Sequence, residues 1–131
     1  MVKQAVSASL AGVRVLVVDD TDDSRELVRA VLEYAGALVT DAATVREALQ
    51  ILQNSRPEVL VTDISMPDDG IRLVREVVAI AAERGQNLPV VAVTAHSRMA
   101  DLQREGFRMC LTKPVDPWEL CRQVAIASGR S

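Results

Sequence analysis

Asp19, Asp20, Asp63, Thr94 and Lys113 are the residues of this chain whose type and placement point to chemistry. Each stands at or just past the end of a short apolar run. Asp19 and Asp20 follow Val13–Val18 (VRVLVV), Asp63 follows Val59–Thr62, Thr94 follows Val90–Val93, and Lys113 comes just after Arg108–Leu111. If these runs are strands of one parallel sheet, the five side chains collect on one edge. Carboxylates gathered there repel: two like charges 4 Å apart cost about 4 kcal/mol at an effective dielectric near 20. A fold that assembles them must protonate one, supply cations or bind a metal. An all-oxygen, partly open set suits Mg2+, which keeps several waters and commonly joins one or two carboxylates to a phosphate. Lys113 supplies a point charge able to pair with Asp63 at rest and with a phosphoryl oxygen after transfer. Thr94 offers a hydroxyl donor for another such oxygen. Phosphoryl transfer asks mainly for alignment and charge neutralisation, and a carboxylate is an adequate nucleophile for it.

The elements that would position these residues are legible from periodicity. VRVLVV is nearly all apolar and β-branched, as expected of a strand buried on both faces. Asp22 is placed to cap a helix with Leu27, Val28, Val31 and Leu32 at helical spacing, ending at Gly36. Ala37–Thr40 reads as a second, weaker strand. Thr44 followed by Glu47 is a capping box opening a helix lined by Val45, Ala48, Leu49 and Leu52. Gly70 precedes a third helix carrying Leu73, Val74, Val77 and Val78, and Gly85 and Asn87 mark its end. A short polar segment from His96 to Glu105 precedes the Arg108–Leu111 strand. Asp116, Pro117 and Glu119 then supply an N-cap, a first-turn proline and a capping-box glutamate for the last helix. Strands alternating with helices predict an open, mostly parallel α/β sheet with right-handed crossovers and helices on both faces. Ligands of such sheets bind beyond the carboxyl ends of the strands, near the switch in strand order.

Composition bounds the rest. The 131 residues suffice for one domain with one core, and 49% of them are apolar, so the chain is not disordered by composition. The net charge of −3, from 15 basic and 18 acidic residues spread along the chain, gives no concentrated basic face and hence no expectation of nucleic-acid binding. The apolar stretches are far shorter than the roughly 20 residues of a membrane span. Cys110 and Cys121 lack the spacing of a metal site or disulfide framework, which fits a cytoplasmic protein with reduced thiols.

Four segments together carry a resemblance: VLVVDD at 15–20, VTDISMP at 61–67, AVTAH at 92–96 and LTKPVDPWEL at 111–120. In this order they resemble the receiver domains of response regulators and hybrid histidine kinases, and PVDPWEL leans toward the hybrid-kinase members. The resemblance runs from about Val13 to Val124. It implies a flavodoxin-like, five-stranded parallel sheet of order 2-1-3-4-5, with residues 12–128 as the domain, 1–11 as an N-terminal arm and 129–131 as a tail. It implies a phosphoacceptor role for Asp63, with Lys113 and Thr94 as its catalytic companions. Asp20, Asp63 and the backbone carbonyl of Ser65 would bind Mg2+ directly, Asp19 through water, with Mn2+ as a substitute ion. The phosphodonor would be a histidine kinase, a phosphotransfer protein or a small molecule. A downstream protein partner would read the result. The resemblance also implies a cis bond before Pro114.

The chain departs from the family at three places. Receivers usually carry Tyr or Phe three residues before the lysine, where this chain has Cys110. The span from Thr94 to Gly106 is about one helical turn short, so the fourth helix should be stunted. The turn Met66–Gly70 is about one residue short as well. These departures bear on signal output more than on phosphate chemistry, and the first two motivate an alternative reading as a pseudo-receiver that binds partners without phosphorylation. A hydrolase with an aspartyl intermediate would usually place a general acid where Ser65 stands, and a flavin site would need a phosphate cradle where the first loop is acidic. His96, two residues past Thr94, borders the site by the same resemblance and has no companions for metal ligation. Asp22 and Asp23 read as cap and first-turn residues, Trp118 as packing or a partner face, and Arg72, Arg75, Glu76, Glu83 and Arg84 as a solvated helix face.

Overall fold

The structure is a computed structural model that describes residues 10–64, 67–105, 107 and 109–129, without the side chains of residues 67–69 and 96. Five parallel strands, β1 (Arg14–Val18), β2 (Leu38–Ala42), β3 (Val59–Asp63), β4 (Val90–Thr94) and β5 (Met109–Thr112), form one sheet of order β2-β1-β3-β4-β5. Helices α1 (Asp22–Tyr34), α2 (Val45–Asn54), α3 (Pro67–Glu83), α4 (Met99–Arg104) and α5 (Pro117–Ala127) fill the crossovers. This is the doubly wound, flavodoxin-like arrangement, and α4 has only six residues, preceded by a single 3-10 turn at His96–Arg98. Among the described residues no helix is long and apolar enough to cross a membrane.

The uninterrupted apolar character of the central strands follows from burial on both sides. Val15, Val17, Val59, Val61, Val91 and Val93 face α1 and α5, where Val28, Leu32, Leu120 and Val124 close one core. Leu16, Val18, Leu60 and Ala92 face the other way, onto Leu52 of α2, Leu73 and Val77 of α3 and Leu102 of α4. Each such side chain contributes about 1.5–3 kcal/mol when fully buried. Cys121 packs in the first core and Cys110 against the second, so the sheet separates the two thiols, and burial pushes both up in pKa.

Local signals hold with some corrections. The Thr44 hydroxyl accepts from the Glu47 backbone N–H at 3.1 Å, while the Glu47 carboxylate reaches back to the N–H of Ala43 at 2.8 Å. Asp116 caps α5 through the N–H of Trp118 at 2.9 Å, but Glu119 turns to Arg122 and Gln123 instead of the backbone. The cap of α1 is Thr21, not Asp22: Asp22 is the first helical residue, and its carboxylate is taken by Arg25 at 2.8 Å. β2 lies at Leu38–Ala42, beyond the expected Ala37–Thr40, because its pairing with β1 runs from Leu38 through Ala42. Gly70 lies inside α3, which begins at Pro67. Arg84 is not simply solvated, since it donates to the carbonyl of Leu52 and ties the end of α3 to α2.

Candidate functional site

The order β2-β1-β3 places the switch point of the sheet between β1 and β3, where the chain leaves in opposite directions for its two halves. Asp19 and Asp20 follow β1, and Asp63 is the last residue of β3. The three carboxylates each offer an oxygen within 4.8 Å of the others. Asp19 is buried at 4% exposure, Asp20 is exposed, and the side chain of Asp63 is 3% exposed. The cluster therefore grades from a closed floor to an open mouth.

The peptide framework fixes each member. The N–H of Asp19 donates to the carbonyl of Ala42 at 3.1 Å, and its Oδ1 accepts from the N–H of Thr21 at 2.9 Å. Asp63 pairs in register with Val93, and the next N–H, of Ile64, donates to the Val93 carbonyl at 2.8 Å. Thr94 ends β4 and is fully buried; its hydroxyl stands 3.5 Å from the carbonyl of Ile64, at the limit of a hydrogen bond. The Thr94 carbonyl in turn accepts from the N–H of Lys113 at 2.9 Å. Lys113 precedes a cis bond to Pro114 and reaches back so that Nζ lies 2.6 Å from Asp63 Oδ2. Asp19, Asp20, Asp63, Thr94 and Lys113 are thus brought to one edge. Ser65 lies outside the described residues, and so does the side chain of His96.

Charge does not balance at this edge. Lys113 meets one oxygen of Asp63, while Oδ1 of the same carboxylate is buried with no hydrogen-bond partner among the described residues. A buried anionic oxygen left unpaired is costly. The Asp19 and Asp20 carboxylates nearby are acceptors, which add repulsion rather than relieve it. This is the environment of a hard cation held by oxygen ligands. The adjoining cleft, of about 250 Å3, is lined by Val18, Ala43, Thr44, Thr62, Gly70 and Leu73, with room for an ion and several waters.

Sequence reasoning missed two contributors. Thr62, one of the residues lining the cleft, is 1% exposed, and its buried hydroxyl has no partner among the described residues. Gly70 packs so closely that a Cβ there would stand 2.9 Å from Ile64 Cγ2 and 3.1 Å from Ile64 Cα. The absence of a side chain lets the first turns of α3 press on the residue after Asp63. For Gly70→Ala, better helix propensity returns about 1 kcal/mol, against about 1–3 kcal/mol for overpacking a buried contact. We expect a net loss of about 1 kcal/mol in urea unfolding; an unchanged or higher midpoint would show that Ile64 yields freely.

A family model described as "Response regulator receiver domain" matches residues 15–125. The chain is 46% identical over 120 residues to an uncharacterized 14.6 kDa protein of Leptolyngbya boryana, covering 88% of this chain and 90% of that one. It is 38% identical over 113 residues to Response regulator Rre1 of Synechocystis, where the match spans 82% of this chain but 48% of the relative. The receiver domain of NtrX from Brucella abortus superposes with a TM-score of 0.77 at 28% identity, over 89% of this chain and 99% of that structure.

Proposed function

Because the chain belongs to the response regulator receiver family of two-component signalling, we propose that Asp63 is its phosphoacceptor and that Mg2+ serves the transfer. The observation that carries this reading is the buried Oδ1 of Asp63, unpartnered among the described residues, beside two further carboxylates. Asp20, Asp63 and the Ser65 carbonyl would hold the ion directly and Asp19 through water. When bound, the ion supplies charge neutralisation for the phosphoryl oxygens.

The chain's own groups do the rest. A carboxylate oxygen of Asp63 forms a bond to phosphorus as the bond from phosphorus to the donor breaks. The electron pair leaves with the donor, a histidine nitrogen of a kinase or phosphotransfer protein or the oxygen of a small acyl phosphate. Lys113 releases Asp63 and pairs with a phosphoryl oxygen, while the Thr94 hydroxyl donates to another. Hydrolysis of the aspartyl phosphate resets the domain, so catalysis is confined to the chain's own phosphorylation and slow dephosphorylation. The phosphorylated surface then changes its affinity for a downstream protein in the cytoplasm.

A second reading, a binding module without a phosphorylation switch, is favoured by Cys110. Its thiol lies 3.2 Å from the carbonyl of Phe107 where receivers usually place a mobile ring. One experiment separates the two. After incubation with Mg2+ and acetyl phosphate, peptide mapping by mass spectrometry should find one phosphoryl group on the peptide containing Asp63. A protein that stays unlabelled, or is labelled elsewhere, would sink the first reading and leave the second.

A further inference from the structure

Arg25 lies in the first turns of α1, outside the acidic cluster, and a surface helix arginine would ordinarily be spread into solvent. Its side chain is instead only 15% exposed. Nη1 donates to the backbone carbonyl of Asp19 at 2.8 Å, Nη2 to Asp22 Oδ1 at 2.8 Å, and Nε to Asp41 Oδ2 at 3.3 Å. Asp41 is held a second time by Arg29 Nη1 at 2.9 Å, so the anchor on β2 is itself fixed.

The carbonyl that Arg25 grips belongs to the peptide joining Asp19 to Asp20. The N–H of Asp19 is already bound to Ala42, the residue after Asp41 on β2. The turn is therefore held on both sides of Asp19, by β2 directly on the N–H side and by β2 through Arg25 on the carbonyl side. With that peptide plane set, the directions in which the Asp19 and Asp20 side chains leave the backbone are set with it. A guanidinium suits this task because its planar fork serves several acceptors at once, which an ammonium cannot do in fixed geometry.

We infer that Arg25 is the positioning residue of the acidic pair: by bridging the Asp19 carbonyl to Asp41 it holds Asp19 and Asp20 in the geometry that binds a divalent cation. The inference rests on the reading of the three carboxylates as a Mg2+ site. It makes a prediction opposite in sign to simple electrostatics. A guanidinium beside a cation site repels the ion, so loss of its charge alone would tighten metal binding. Loss of a residue that orients ligands weakens it, commonly by tenfold or more.

The test is Mn2+ binding to the whole chain, followed by electron paramagnetic resonance, with Mg2+ in competition. Arg25→Gln should weaken Mn2+ about tenfold, the lower end for groups that act on ligands from behind. Arg25→Lys, which keeps the charge, should also weaken it by a smaller factor. Adding Asp41→Asn to Arg25→Gln should weaken it no further, because both changes break the same bridge. In acetyl phosphate labelling, Arg25→Lys should raise the Mg2+ concentration needed for half-maximal rate and leave the rate at saturating Mg2+ near that of the parent. Unchanged or tighter Mn2+ binding by Arg25→Gln would overturn the inference, even with a lowered melting temperature, since that combination marks a purely structural staple. If Arg25→Gln does not fold, Arg25→Lys decides by the same criterion. A parent protein that binds neither ion overturns the site reading and this inference together, whereas a binding parent with an indifferent variant overturns this inference alone.

Discussion

Asp63→Asn is expected to bring phosphoryl incorporation from acetyl phosphate down to background while leaving the protein folded. Asparagine keeps the volume of the side chain, and its carbonyl oxygen can still accept from Lys113. What it loses is the anionic nucleophile. Without Mg2+ the variant should melt no lower than the parent, and the magnitudes decide this. Removing one of three clustered carboxylates relieves repulsion of order 3 kcal/mol per neighbour at the separations seen here. The Lys113 pair that is weakened is worth about 1 kcal/mol, because Lys113 is 32% exposed and screened by water. The metal response should go the other way. A ligand at a hundredfold excess over its dissociation constant stabilises by about 2.7 kcal/mol, and with one ligand charge gone most of that rise in melting temperature should vanish. Thermal melts with and without Mg2+, run beside the labelling assay, check both halves. Incorporation equal to the parent's would remove Asp63 from its role.

Lys113→Ala should divide metal binding from catalysis. Its ammonium is the cation that contacts Asp63 among the described residues, so its loss should slow phosphoryl transfer by about 10²–10³, the range for deleting one preorganised donor. Mg2+ affinity should rise, because a competing positive charge has left the site. Stability without Mg2+ should fall, since Asp63 is left buried beside two other acids. Breaking a fully buried pair costs about 3–5 kcal/mol, and the partial exposure of Lys113 brings the expectation to about 1–3 kcal/mol. Added Mg2+ should recover much of that loss. Weaker Mg2+ binding in this variant would mean that Lys113 shapes the site rather than serving it as a charge.

The residues brought together at the edge were readable because each ends an apolar strand, and parallel topology turns that one-dimensional position into a shared location. Asp63 alone could have been a turn residue before Met66–Pro67, since Asp is common in turns; it stood out because Asp19, Asp20 and Lys113 stand at matching strand ends. The sharper details were not readable. Asp22 has the chemistry of a cap, yet the N-cap position falls to Thr21, whose hydroxyl makes no capping bond, and the Asp22 carboxylate goes to Arg25. Gly70 read as the residue before a helix, since glycine usually breaks one, yet it is tolerated within α3 because Ile64 occupies the space its side chain would need. Arg25 and Arg84 left no trace in the pattern. Their decisive acceptors are backbone carbonyls of Asp19 and Leu52, and any residue has a carbonyl. The short α4 followed from counting residues between Thr94 and Gly106, whereas the contact between the Cys110 thiol and the Phe107 carbonyl required coordinates.

The pairing of Lys113 with Asp63 joins residues 50 positions apart, and the carbonyl of Thr94 holds the N–H of Lys113 across the β4–β5 ladder. Apart from the adjacent Asp19 and Asp20, the members of the edge are therefore distant in sequence. Contacts of this kind form late, because the closure entropy of the intervening chain is spent before they stabilise anything. A chain that has folded β1, β3 and the helices between them already gathers its acids, but it lacks their counter-charge until the last strand, β5, docks against β4. Competence for the chemistry thus reports completion of the whole sheet, and a half-assembled domain carries an acidic edge that is repulsive and unable to hold a signal.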